Sequence, residues 1–259
     1  MNNDTKQKKT IGSVIKAVEI INYIAQSDEE LGATEISEGV GYGVSATYHL
    51  LNTLKECNYI KQDEKTKKYR LGLKLWQLGL KAFKENDIAV DLKEYLVELK
   101  EDTGETSNLT VLDKKSIVYI AQEESDKMIK MFTKIGATAP LHCTASGKIF
   151  LAYMDESKRE GILKDYDLTK FTENTIDNRE DLLKELEEIK SRGYGFDIEE
   201  RDEDVSCVAV PIFDSTQGVL ASISISGPHT RFTEENKEKW IPIILDIAQR
   251  ASDSLQNNK

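Results

Sequence analysis

The chain contains 259 residues, of which 39% are hydrophobic and 31% are charged. This composition supports a buried core and excludes a disordered or collagen-like chain. No apolar run approaches the roughly 20 residues that span a bilayer, and the N-terminus lacks the apolar segment of a secretory signal. The three cysteines form no C-x-x-C pair, which favours a reducing compartment. We therefore expect a cytoplasmic protein of one or two domains, without membrane contact.

The net charge of −11 is concentrated in the C-terminal part of the chain. Residues 1–75 hold 11 basic and 10 acidic residues, whereas residues 76–259 hold 24 and 36. The near-neutral first part contains two basic clusters, at residues 6–9 and 65–70. Charge alone favours solvated lysines on a tail and a turn, but such clusters can also contact nucleic-acid phosphates.

Three helix patterns open the chain. The first has apolar residues at three- and four-residue spacing, which form one stripe: Ile11, Val14, Ile15, Val18, Ile21 and Ala25. Thr34 can cap a short second helix that ends at Gly41. A third helix runs from a possible cap at Ser45 to about Cys57, and the side opposite its leucines carries Ser45, Tyr48, His49 and Asn52. Two helices joined by a glycine-bearing turn are typical of a helix-turn-helix, whose polar groups can reach base edges.

Two short strand-like pieces follow, at residues 59–62 and 69–72, around a charged tip. This pattern predicts a β-hairpin wing with four basic residues: Lys65, Lys67, Lys68 and Arg70. Three helices alone occur in many bundles, but an attached basic hairpin can contact the DNA backbone beside an inserted helix. We therefore favour DNA binding over a plain helical bundle. Taken singly, each polar residue of the third helix could instead be a cap, a surface-packed ring or an exposed side chain.

Residues 74–86 are rich in leucine and contain no proline, so they predict a linker helix. Its apolar surface is expected to pack against the neighbouring domain or a second copy of the chain. A helix is predicted at 87–103. Five later runs are rich in strand-forming residues: 106–112, 116–122, 128–133, 205–213 and 219–226. Further helices are predicted at 146–154, 178–191 and 234–254. Hairpins with grouped helices predict an α+β domain built on an antiparallel sheet.

The N-terminal part, about residues 13–72, resembles the winged helix-turn-helix of the isocitrate-lyase-regulator (IclR) family of bacterial transcription regulators. The likeness lies in Gly32-Ala33-Thr34-Glu35-Ile36-Ser37, Leu50-Leu51-Asn52-Thr53-Leu54 and Tyr69-Arg70-Leu71-Gly72. The match departs at residues 44–49, where two positive charges typical of the family are absent. Phosphate binding would then depend more on the wing, the N-terminal arm and Lys55.

The C-terminal part resembles the effector-binding domain of the same family, whose sheet-and-helix layout is similar to the GAF and PAS sensor folds. The likeness is carried by residues 140–148, 192–200, 204–211 and 222–228. The resemblance implies three parts: a winged helix-turn-helix DNA-binding domain at 10–73, a linker helix at 74–86 and an effector-binding domain at 87–259.

Several C-terminal residues have the chemistry to bind a small acid. Ala145, Ser146 and Gly147 precede an apolar helix, where free N–H groups favour a carboxylate. Ser224 and Ser226 lie two apart on a strand and can offer hydroxyls from one face. The resemblance implies a ligand pocket of Ala145, Ser146, Asp197, Val205, Cys207, Ser224 and Ser226. Asp197 would bind a hydroxyl group, which indicates a hydroxylated acid. The alternatives are an N-cap for Ser146, small core positions for the strand serines and an exposed turn for Asp197.

Catalytic motifs are missing from the sequence. Gly147-Lys148 resembles the end of a P-loop, but His142 stands where the earlier glycine is required and Ile149 where Ser or Thr should be. G-x-S-x-G, H-E-x-x-H and C-x-x-C motifs are also missing. We expect no enzyme activity and no cofactor. A zinc site from His142, Cys143, Cys207 and Asp197 is a minor alternative, because buried cysteine is more often a small hydrophobe.

These patterns together predict a homodimeric or tetrameric transcription regulator. Its partners would be a double-stranded DNA operator and a small organic, possibly sugar-derived, acid effector. Two alternatives remain. The C-terminal domain could be an enzyme with the helical module as a docking element, or the protein could be a ligand sensor that acts through protein partners.

Overall fold

A computed structural model describes residues 10–84 and 88–257. The chain divides into two compact units between residues 87 and 88, whereas the predicted boundaries at 73 and 86 stay predictions. The first unit contains three helices, a two-stranded antiparallel hairpin and a fourth helix: α1 (Gly12–Ala25), α2 (Ala33–Val40), α3 (Val44–Glu56), β1 (Ile60–Gln62), β2 (Tyr69–Leu71) and α4 (Leu73–Lys84).

The helix starts in this unit differ from the predicted caps. Gly32, rather than Thr34, is the N-cap of α2, and the Glu35 carboxylate accepts a hydrogen bond from the Gly32 amide at 2.5 Å. Gly43, rather than Ser45, is the N-cap of α3. Gly41 ends α2 at a φ of 72°, in the left-handed region that glycine adopts without steric cost. Glycine residues therefore stand at both ends of the turn between α2 and α3, Gly41 at its start and Gly43 at its end.

The described core of the first unit consists of buried apolar side chains from α1, α2, α3, β1 and β2: Ile20, Ile24, Ile36, Leu51, Leu54, Ile60 and Tyr69. Most of the predicted apolar stripe on α1 is not part of it. Ile11, Val14, Ile15 and Val18 are 43–70% exposed, because α1 turns Ile20 and Ile24 toward α2 and α3. On α4, Leu73 and Trp76 are also more than 60% exposed. The first unit therefore has uncovered apolar surface on two helices.

The second unit is built on a six-stranded antiparallel sheet in the order β5-β4-β3-β8-β7-β6. Its strands are β3 (Thr106–Asp113), β4 (Ser116–Glu123), β5 (Thr138–Pro140), β6 (Gly195–Ile198), β7 (Val205–Phe213) and β8 (Val219–Pro228). Its helices are α5 (Ile88–Asp91), α6 (Lys93–Thr103), α7 (Ala145–Tyr153), α8 (Glu156–Leu163), α9 (Arg179–Arg192) and α10 (Glu234–Asn257), with a 3-10 turn at His229–Arg231. No helix in the described ranges is long and apolar enough to cross a membrane.

The two faces of this sheet differ in chemistry along β8. On β8, Ile223 and Ile225 pack into a core with α6 and α10. The alternate residues Ser222, Ser224 and Ser226 are also buried, but on the opposite face. That face is covered by α7, which contacts β7, β8 and β6. Burying a hydroxyl group is unfavourable unless it finds a hydrogen-bond partner. The buried serines on this face of β8 therefore mark the candidate ligand site.

Two predictions for this unit are wrong, and three short elements were not predicted. Residues 128–133 form no strand; instead, the Met131 carbonyl accepts a hydrogen bond from the Thr106 hydroxyl at 3.0 Å, and the Ile129 carbonyl accepts one from Arg231 at 3.0 Å. The predicted helix 87–103 is interrupted at Leu92 between α5 and α6. The short elements β5, β6 and α8 were not predicted, because strands of three or four residues carry almost no periodic signal.

Candidate nucleic-acid interface and effector pocket

The third helix presents its predicted polar side to solvent. Thr47, Leu51 and Leu54 are buried on the inner face. Ser45, Tyr48 and His49 are exposed on the outer face, and Asn52 and Lys55 are half-buried. Since Gly43 is the N-cap, Ser45 lies inside the helix with its hydroxyl free to face solvent, which overturns the capping alternative. The Lys55 ammonium donates a hydrogen bond to the Gln62 side chain at 3.2 Å, so the helix is tied to the wing.

The wing is an ordered hairpin rather than a loose tip. One Asp63 carboxylate oxygen accepts hydrogen bonds from the amides of Lys65 and Thr66, at 2.9 and 2.8 Å. These bonds, led by that from Thr66, lower the pKa of Asp63. Lys67 adopts a φ of 59° in the same turn. The turn therefore fixes where the basic residues of the tip are presented.

The basic groups of the wing are mostly accessible. Lys65, Lys67 and Arg70 are exposed, and Lys68 is half-buried. The guanidinium of Arg70 lies 3.3 Å from the Glu30 carboxylate, an exposed ion pair of small net energy. Lys61, which is not among the predicted DNA-binding residues, is exposed directly opposite Arg70 in the β1–β2 register. The predicted basic residues at 6–9 lie outside the described residues.

Seven of the eight predicted effector residues line one pocket in the second unit: Ala145, Ser146, Asp197, Val205, Cys207, Ser224 and Ser226. Strand register explains why they meet. Asp197 pairs with Cys207, which pairs with Ser226, so three adjacent strands each place one polar group on the same face. Asn108 on β3 extends the row, because its amide donates to the Ser226 hydroxyl at 3.1 Å.

The helix α7 supplies the wall opposite the sheet. Thr144, not Ser146, is its N-cap, and the Thr144 hydroxyl accepts a hydrogen bond from the Gly147 amide. Ser146 instead lies in the first turn, within 3.2 Å of the Ser222 hydroxyl. First-turn amides have no acceptor inside a helix and carry the positive end of its dipole. The arrangement thus favours an anionic group beside Ala145 and Ser146.

Gly147 does not line the pocket; it packs closely against the backbone of Leu141. A Cβ atom there would lie 2.5 Å from the Cα and carbonyl oxygen of Leu141. Since both are backbone atoms, no side-chain rotation relieves the contact. Gly147 therefore allows α7 to approach the segment before it, which sets the position of Ser146.

Asp197 is buried at 3% exposure, so its predicted alternative as an exposed turn residue is wrong. Burial, and next the charge of Glu200, raise the pKa of Asp197 to about 7. Its carboxylate accepts hydrogen bonds from the amides of Glu200 at 2.8 Å and Arg201 at 3.4 Å. Near neutral pH this group can exist in either form, so it can donate or accept a hydrogen bond with a ligand hydroxyl.

The structure adds pocket residues that sequence reasoning missed: Tyr119, Met131, Thr133, Thr144, Arg201 and Asp202. Arg201 stacks on the Phe171 ring, 4.2 Å from its centroid, and adds a cation beside Asp197 and Asp202. Met131 and Thr133 belong to the segment wrongly predicted as a strand. The cavity volume is about 30 Å³, enough for one or two water molecules.

The zinc alternative finds no support in the described residues, where no group of three or more His, Cys, Asp and Glu side chains could hold a metal ion. Burial raises the pKa of Cys143 to about 12 and raises that of Cys207 as well. Burial therefore disfavours the thiolate form of both groups.

Two family models match the chain. The IclR helix-turn-helix domain matches residues 13–64, and the bacterial transcriptional regulator IclR C-terminal domain matches residues 80–253. The chain belongs to the IclR family. The HTH-type transcriptional regulator KdgR of Dickeya chrysanthemi is 37% identical over 250 residues, which cover 96% of this chain and 82% of KdgR. The repressor AllR of Escherichia coli K12 is 29% identical, covering 93% of this chain and 89% of AllR.

Solved structures of the IclR family agree with the fold. The crystal structure of the Thermotoga maritima IclR protein superposes with a TM-score of 0.76 at 34% identity, covering 95% of this chain and 99% of that one. The predicted fold class, a helix-turn-helix domain followed by a mixed helix and antiparallel-sheet domain, is confirmed. As an IclR-family member, the protein is a DNA-binding transcriptional regulator and not an enzyme.

Proposed function

We propose that α3 enters the major groove of an operator while the wing contacts the flanking phosphates. The observation that carries this proposal is the exposed row of Ser45, Tyr48 and His49, set on a helix whose other face is buried. These side chains offer hydroxyl and imidazole groups to base edges. Cations for the DNA backbone come from Lys55, Lys65, Lys67, Lys68 and Arg70, and Asn52 offers an amide group. Family membership favours this reading over a sensor acting through protein partners.

We further propose that the pocket of the second unit binds a small hydroxylated, possibly sugar-derived, acid. The acid's carboxylate would face the first turn of α7, and its hydroxyl groups would face Asp197, Ser224 and Ser226. Binding would change operator affinity by a coupling of about 1–3 kcal/mol, or roughly 5- to 150-fold. Since AllR is named a repressor, we propose that this cytoplasmic protein also represses.

Replacing Lys67, Lys68 and Arg70 with alanine is expected to weaken operator binding and flatten its salt dependence. If all three contact phosphates, the slope of log K against log salt falls by about 2–3. Anisotropy titrations between about 50 and 200 mM salt measure this slope. The matched control K158A/K164A/K190A removes three exposed lysines of the second unit and should bind normally. An unchanged slope in the wing variant would favour a protein partner instead of DNA.

We propose a homodimer, or a tetramer of two such dimers, that covers the apolar surface of α1 and α4. Val14 and Val18 lie four residues apart on α1 and are 57% and 49% exposed. The double variant V14E/V18E places two charges in that surface and should dissociate the dimer at micromolar concentration. Sedimentation velocity measures the change, with V90E, at another exposed valine, as control. A wild-type chain that sediments only as a monomer contradicts the proposal.

A further inference from the structure

A buried ion pair lies directly behind the effector pocket. Lys148 is two residues after Ser146 on α7, and its side chain is only 1% exposed. Its ammonium contacts one carboxylate oxygen of Glu200, whose side chain is 9% exposed. The second Glu200 oxygen is buried and has no hydrogen-bond partner among the described residues. Lysine is almost never this buried, and an ion pair here carries a large desolvation cost, so the pair is not explained by stability.

The pair joins the two polar walls of the pocket. The Glu200 amide donates to the Asp197 carboxylate at 2.8 Å, so the position of Glu200 fixes that of Asp197. On the other side, Lys148 belongs to the helix whose first turn carries Ala145 and Ser146. Removing the ion pair would remove the side-chain link between Glu200, which holds Asp197, and α7.

The turn that carries Glu200 is braced from outside as well. Its carbonyl accepts a hydrogen bond from the Thr175 hydroxyl at 2.6 Å, and the neighbouring Glu199 carbonyl accepts one from Thr172 at 2.5 Å. Behind Lys148, Glu185 on α9 lies 3.8 Å from the ammonium. The turn is thus held at its backbone by threonines and at its side chain by Lys148.

We propose that the Lys148–Glu200 pair positions Asp197 relative to the first turn of α7 and thereby sets the affinity for the effector. Lys148 and Glu200 act as positioning residues, because neither side chain lines the pocket itself. The effector part of this proposal depends on the function proposed above. The positioning of Asp197 does not depend on it.

The test replaces the pair by apolar residues of similar size in the variant K148M/E200L. Such replacements of buried ion pairs usually preserve or raise stability, so the variant is expected to fold. We expect amide hydrogen exchange at residue 200 to become at least about tenfold faster while the unfolding midpoint does not fall. The conservative variant E200Q keeps an acceptor for Lys148 and should retain slow exchange. The control variant E98L/R250M makes the same kind of change at an exposed ion pair and should leave amide exchange at residue 200 unchanged.

Operator release by D-gluconate, the hydroxylated acid used as probe, supplies the second readout. In K148M/E200L the half-effective concentration should rise at least about tenfold, with operator affinity in the absence of acid within about twofold of wild type. Exchange at residue 200 as slow as in wild type, in a folded double variant, would overturn the positioning role. If D-gluconate does not act on the wild type but exchange accelerates as expected, the gluconate response fails and the positioning role stands.

Discussion

The variant E105A is expected to lose about 2–4 kcal/mol of unfolding free energy, among the largest single-residue effects in the second unit. The Glu105 side chain is fully buried and receives two hydrogen bonds of 2.6 Å from Arg231 and one of 2.8 Å from Lys127. Removing a carboxylate leaves two cations facing a buried cavity. The expected loss of unfolding free energy is smaller than the largest losses for buried ion pairs, because Arg231 and Lys127 are partly exposed to water.

Urea unfolding of E105A measures this loss, with the exposed neighbour E101A as a control that should change by less than about 0.5 kcal/mol. Arg231 also holds the Ile129 carbonyl, so the segment that carries Met131 should loosen in E105A. An unfolding midpoint equal to that of wild type would mean that the network contributes no net stability.

The variant D197N is expected to be more stable than wild type above pH 7 and about equal to it near pH 4. The folded pKa of Asp197, about 7, is raised above the unfolded value of 3.8. The folded state therefore binds the proton more tightly, and wild type loses stability as pH rises from about 4 to about 7. The full difference is on the order of 4 kcal/mol, and asparagine removes the ionisation that causes it.

Unfolding measured at about pH 3.5 and at about pH 8, which lie below the unfolded pKa and above the folded pKa of Asp197, tests this sign. The exposed change D165N serves as the control and should not depend on pH in this way. A stability difference between D197N and wild type that is the same at both pH values would contradict the burial of an ionisable Asp197.

The parts of the fold that the sequence predicted correctly are those with local signals. The strand runs 205–213 and 219–226 alternate or continue over eight or more residues, and the observed β7 and β8 nearly coincide with them. The segment 128–133 has similar composition, but contacts with Thr106 and Arg231, far away in sequence, hold it as irregular backbone. Periodicity contains no information about such partners.

The same distinction applies to the candidate pocket. Ser224 and Ser226 could be placed on one face from their spacing alone. That Asp197, Cys207 and Ser226 are neighbours depends on strand register, and Arg201 joins them through a turn that no motif indicates. Family resemblance supplied most of the pocket, whereas the burial of Asp197 and its link to Lys148 required coordinates.

Binding of the wild-type chain to duplex DNA tests the central claim most directly. Duplexes selected from a randomised pool would be titrated at low and at physiological salt, with and without D-gluconate. We expect selection of a pseudo-palindrome with half-sites about one helical turn apart, and an affinity that falls steeply with salt. We also expect the acid to change that affinity roughly 5- to 150-fold. No binding even at low salt would contradict the account.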